Sequence, residues 1–203
     1  MTAKFTENFS LNNAKIVNAW NEWDPLEEVV VGSADQACFE PTEPGSHPKL
    51  RDSAIADQIP FPGGPKPQAM LDKTIEELAG FAALLESQGV KVRRPEPQDF
   101  SQAIQTPDFT VANQYCAVCP RDVMITFGNE ILEATMSRWA RFFEYLPYRK
   151  LVYEYWHADP QMIWNAAPKP SMADAMYRED FWDWPLAERH ARMHEFEFCV
   201  TQD

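Results

Sequence analysis

The chain has 203 residues, of which 45% are hydrophobic and 24% charged, enough for one sizeable core. Eighteen basic residues stand against thirty-one acidic ones, a formal charge of -13, which argues against nucleic acid as a partner and leaves room for a small cationic ligand. The opening MTAKFTENFSLNNAKI has no apolar core of signal-peptide length, and nothing later approaches a membrane span of about 20 apolar residues. With no Arg before Arg51, a mitochondrial leader is not indicated, and a cytoplasmic setting with reduced thiols is expected.

Residues 1-19 are polar and unpatterned and read as a flexible N-terminal arm. Asn21 to Pro25 reads as a turn, and Leu26 to Val31 as a strand buried on both faces, stopped by Gly32. From Ser33 to Pro67, seven prolines and the Gly63-Gly64 pair exclude long helices and leave an extended surface loop. Leu71, Ile75, Leu78, Phe81, Ala82 and Leu85 then recur at helical spacing, so a helix is expected from Gln68 to Gln88, with Gly89 at its stop. Val90 to Arg94 reads as a strand before Pro95.

The order repeats further on. A strand is expected at Val123 to Phe127, a turn at Gly128-Asn129, a strand at Glu130 to Ala134, a helix at Ser137 to Trp156 kinked or split by Pro147, and a strand at Met162 to Asn165. The tail is read as a short helix from Ser171 to Asp180, an aromatic turn at Phe181 to Pro185, a helical piece at Leu186 to Met193, and a strand at Glu195 to Val200. Two successive strand-helix-strand units imply an α/β fold built from repeated modules.

Four groups of residues invite a chemical reading. Cys116 and Cys119 form a C-x-x-C, but no second ligand pair follows, so neither a zinc site nor a redox pair is expected. His190 and His194 have helical i, i+4 spacing, yet Ala191 stands where a zinc protease carries Glu, and solvated histidines are the simpler reading. Trp139, Phe142, Phe143, Tyr153 and Trp156 read as one packed helical face and not as a stacking platform for bases. Asp122 is the candidate binding residue. It precedes an apolar strand, from whose end a carboxylate can reach a cleft and accept two parallel hydrogen bonds from a guanidinium. The same carboxylate would also serve a structural ion pair with Arg121, its neighbour, or with another Arg, and both readings stand open at this level.

The run from Cys119 to Arg149, CPRDVMITFGNEILEATMSRWARFFEYLPYR, together with NEWDPLEEVVVG (Asn21 to Gly32) and WNAAPKPSMADAMY (Trp164 to Tyr177), resembles the arginine-dependent amidinotransferase family. The likeness extends from about Trp20 to Cys199. It implies a pentein-type partial α/β-propeller, with about two of five modules present: module one at about 20-95, module two at about 108-166, and the start of a third at about 167-203. In that family the Asp of Pro-Arg-Asp helps to hold the substrate guanidinium, and the role falls on Asp122. The resemblance implies no cofactor, and as partners only small molecules, arginine and an acceptor amine.

It also implies what these residues do not supply. None of Cys38, Cys116, Cys119 and Cys199 corresponds to the family's nucleophile, and its general-base histidine has no counterpart here. Thr201 stands where the family places the Asp that partners that histidine, and Asp203 comes two residues late. The expectation is an amidinotransferase-family chain inactive alone, cut short by a frame change or a clipped gene, which associates through exposed module edges. A noncatalytic module that binds arginine-like ligands or regulates a full-length partner, and a guanidine hydrolase of the deiminase type, are the competing readings.

Overall fold

The computed structural model describes residues 15–41, 43, 63–136, 138–169, 185 and 188. The expected arm before residue 15, the tail elements after residue 169, and His190, His194 and Cys199 lie outside them.

The first unit is β1 (Glu28–Val30), α1 (Gln68–Ser87) and β4 (Lys91–Arg93), in which β1 and β4 run parallel with Val29 opposite Val92. Parallel strands need a long crossover, and α1 supplies it. The helix starts directly after Pro67 and ends at Gly89, which takes φ 84. Only Leu71 of its apolar stripe is buried, against Ala37 and Cys116, while Phe81 and Leu84 face outward. β1 departs from its expected setting. Glu28, Val29 and Val30 are half-buried and only Val31 is buried, because a pair of strands with one helix covers one face and leaves the other accessible.

Between these elements the chain adds β2 (Cys38–Phe39) and β3 (Gly64–Pro65), an antiparallel pair; most of the loop expected between them, residues 44–62, lies outside the described residues. The buried Asn113 ties that pair down, donating to the Phe39 carbonyl at 3.0 Å and accepting from the Gly64 N–H at 3.0 Å. A small hairpin of β5 (Ile104–Gln105) and β6 (Thr110–Val111) follows β4.

The second unit begins with one helical turn, α2 (Pro120–Val123), where a strand start is expected at Val123. Then come β7 (Met124–Phe127), β8 (Glu130–Glu133), α3 (Leu146–Ala158) and β9 (Ile163–Ala166). β7 and β8 form a hairpin through Gly128-Asn129, with Gly128 at φ 56, as a tight two-residue connection requires. β8 and β9 are parallel across α3, repeating the topology of the first unit. One face of this sheet carries Met124, Ile131 and Trp164 against Leu151, Val152 and Tyr155 of α3, with the fully buried Tyr148 at the centre. The other face leaves Ile125, Phe127 and Ile163 exposed.

The helix expected from Ser137 to Trp156 is shorter. Trp139–Arg141 form a 3-10 turn, irregular turns follow, and α3 starts at Leu146. Pro147 therefore lies in the first turn of α3, where its missing N–H has no intrahelical partner to lose, and it neither kinks nor splits the helix. The single aromatic face also divides. Trp139 stacks on Phe109 at 5.1 Å and Phe142 meets the same ring edge-on at 5.3 Å, whereas Tyr153 and Trp156 lie on the outside of α3, with Trp156 near Trp164.

Candidate functional site

Asp122 sits on α2, whose single turn closes with the Asp122 N–H donating to the Cys119 carbonyl at 3.1 Å. Its side chain is 48% exposed and one oxygen, Oδ2, accepts from Arg141 Nη2 at 3.0 Å. Arg141 ends the 3-10 turn, and its Nε donates to Glu144 Oε2 three residues on. The guanidinium thus bridges two carboxylates, one at the surface and one inside. Arg141 is 13% exposed and Glu144 only 2%.

The interior end of this chain of charges reaches the C-x-x-C. Cys116 is buried and its thiol donates to Glu144 Oε1 at 3.7 Å. Burial pushes Cys116 up to about 12, and the Glu144 carboxylate adds to the shift. Cys119 is raised as well, by burial and then by Asp122. Both are free thiols. Among the described residues no group of three or more His, Cys, Asp or Glu could hold a metal. Glu144 is pushed up to about 7 by burial, against the pull of Arg141. On Arg141 burial works the other way, favouring the neutral form, but Glu144 and Asp122 together outweigh it and raise the guanidinium further.

Two acidic residues after β2, Glu40 and Glu43, clamp the turn that carries Arg141. Arg138 pairs with Glu40, and Glu43 Oε2 accepts the Ala140 N–H at 3.0 Å, a carboxylate at the N-terminal end of a helical turn. Lys66 lies 5.1 Å from the Tyr115 ring, and Arg141 lies over the same ring at 5.8 Å. A second group of charges anchors the chain after β9. The buried Glu133 accepts from Arg149 at 3.1 Å and from the Trp164 indole at 3.1 Å, while Lys169 sits 4.1 Å from the Tyr145 ring.

Asp122 also lines a cleft of about 1280 Å³ between the segment from Lys15 to Val30 and strand β7, with Arg121 and Lys91 beside it. Neither Arg141 nor Glu144 lines this cleft. The sequence places Asp122 at a position the structure leaves half-exposed and leaves an ion pair there open as the competing reading; the structure makes that pair with Arg141, and neither Arg141, Glu144 nor the link to Cys116 is found from the sequence. The one trace of them is Arg141-x-x-Glu144, two opposite charges set three apart inside an aromatic run.

No protein-family model matches the chain. Curated relatives do. Mitochondrial glycine amidinotransferase of Danio rerio is 39% identical over 186 residues, covering 92% of this chain and 43% of that protein. L-arginine:L-lysine amidinotransferase of Pseudomonas savastanoi pv. phaseolicola is 37% identical over 187 residues, covering 92% and 51%. Among solved structures, an amidinotransferase from Microseira wollei in the saxitoxin biosynthetic pathway aligns with TM-score 0.74 and 43% identity, covering 81% of this chain and 46% of that one. Inosamine-phosphate amidinotransferase of Streptomyces griseus aligns with TM-score 0.72 and 38% identity, at the same coverage. The chain spans about half the length of the relatives it matches. Over the half of these relatives that it spans, the chain is similar in sequence and in fold to amidinotransferases.

Proposed function

We propose that this chain carries the guanidinium-holding part of an enzyme that moves the amidino group of arginine to an acceptor amine. In that chemistry a cysteine thiolate attacks the guanidinium carbon, ornithine leaves, and the amine displaces the thiolate to take the amidino group. Asp122 supports the reading: it is the carboxylate of the Pro-Arg-Asp turn, it is half-exposed at a cleft, and Arg141 engages only its Oδ2. A planar guanidinium can use the rest of the carboxylate. The two parallel-strand units are consistent with a partial propeller of about two of five modules.

The described thiols are poor nucleophiles. Cys38, Cys116 and Cys119 are each shifted away from thiolate by burial, and attack requires the thiolate. Binding without turnover is the activity assigned to this chain, and the acceptor amine is left to residues other than these.

The test joins turnover to binding. Incubated with arginine and glycine, the chain should release no ornithine, whereas calorimetry should show arginine binding that weakens about tenfold in Asp122→Asn, the value of a charged hydrogen bond discounted for exposure. Ornithine release, or equal binding by the variant, would overturn the reading.

A further inference from the structure

A carboxylate that already holds a protein guanidinium is a poor receptor for a second one, because the first cancels its charge. Asp122 is in that position with Arg141, at 3.0 Å. Glu144 changes the balance. It sits behind Arg141, nearly sealed from solvent, and takes the Nε of the same guanidinium. Two carboxylates then share one cation, and of the three groups only Asp122 lines the cleft.

We propose that Glu144 is a positioning residue: by neutralising Arg141 from behind, it leaves the Asp122 carboxylate with a net negative charge for the guanidinium of a bound substrate. The inference rests on the reading of Asp122 given above. Arg141 fixes the Asp122 carboxylate through Oδ2, and Glu144 fixes Arg141. Substrate touches neither of these two supports.

The arrangement makes cation binding depend on pH. With Glu144 ionised, the trio of Asp122, Arg141 and Glu144 carries one net negative charge; with Glu144 protonated, it carries none. The groups facing Glu144 are Arg141, Asp122, Cys116, Cys119, Tyr115 and Tyr148, and burial raises the two thiols and the two phenols. They therefore stay neutral through the neutral range, Arg141 stays charged, and Glu144, pushed up to about 7, is the member whose charge changes there.

Calorimetric titration of arginine into the 203-residue chain at about pH 8 and about pH 5.5, where the ligand guanidinium stays charged, tests this. Wild type should bind roughly tenfold more weakly at the lower pH. Glu144→Gln should bind weakly at both, and Glu144→Asp should restore part of the affinity and of the pH dependence, with circular dichroism confirming folded protein. Wild-type binding that is lost in Asp122→Asn, yet equal at the two pH values or unaltered in Glu144→Gln, would overturn the role of Glu144 alone. A pH dependence that persists in Glu144→Gln would do the same. No arginine binding by wild type at either pH, or unchanged binding in Asp122→Asn, would overturn the Asp122 reading and this inference with it.

Discussion

Gly32 stands where β1 leaves its sheet and crosses the segment before α2. A Cβ at that position would lie 2.0 Å from the Val118 carbonyl oxygen and 2.5 Å from that of Ala117, and both are main-chain atoms that cannot rotate away. The close approach allows the Ser33 N–H to donate to the Ala117 carbonyl at 2.7 Å. Gly32→Ala should cost about 3 kcal/mol, the upper range for overpacking, read as a fall in urea midpoint. An unchanged midpoint would show that the strand can yield. The Ala117 carbonyl also accepts the Tyr148 hydroxyl at 2.7 Å inside the core. Tyr148→Phe keeps the ring and removes the donor, so a loss of about 1 kcal/mol is expected in the same experiment. These contacts are invisible in the sequence, since the partners are separated by 31 residues or more and nothing local marks them.

Elements were legible where the chain's own periodicity decides them. The helix Gln68–Ser87 lies within a residue of its expected bounds because its apolar spacing, preceding Pro67 and following Gly89 all point the same way. The stretch from Ser137 to Trp156 has helical spacing as well, but Phe109 of the β5–β6 hairpin gathers Trp139 and Phe142, and Glu43 and Glu40 hold the 3-10 turn from the far side. Tertiary contacts override the local pattern there. They are also what places Arg141 beside Asp122, so the same misreading hid the supports of the candidate site. If Pro147 only begins α3, Pro147→Ala should shift stability by less than about 1 kcal/mol and leave the helical circular dichroism intact. A gain of several kcal/mol would mean that the proline strains the helix interior instead.

At the scale of the molecule, and among the described residues, two buried carboxylates, Glu43 and Glu144, are shifted upward and weigh on the response to pH. Burial raises Glu43 and Glu144 from 4.5 to about 7, so in the window between those values the folded chain holds more protons than the unfolded one. That stabilising contribution is complete below about pH 4.5 and is lost as pH rises through about 7. Unfolding free energies from urea titration should fall between about pH 5 and about pH 8, by on the order of 5 kcal/mol for the two groups together, and Glu43→Gln should remove about half of the slope. A midpoint that rises over this range would refute the shifts. The uncovered sheet face bearing Ile125, Phe127 and Ile163 has a separate consequence. Apolar patches of this kind drive association. Sedimentation should show self-association that Phe127→Lys weakens, whereas a monodisperse monomer would show that the face tolerates water.

The most direct measurement compares arginine with citrulline, which differs in having a neutral urea group in place of the guanidinium. Titrated calorimetrically into the chain at about pH 8, where the guanidinium is charged, arginine should bind about tenfold more tightly than citrulline, and Asp122→Asn should abolish the difference. Equal binding of the two ligands, or discrimination that survives without the Asp122 carboxylate, would contradict the assignment of a guanidinium grip to this residue.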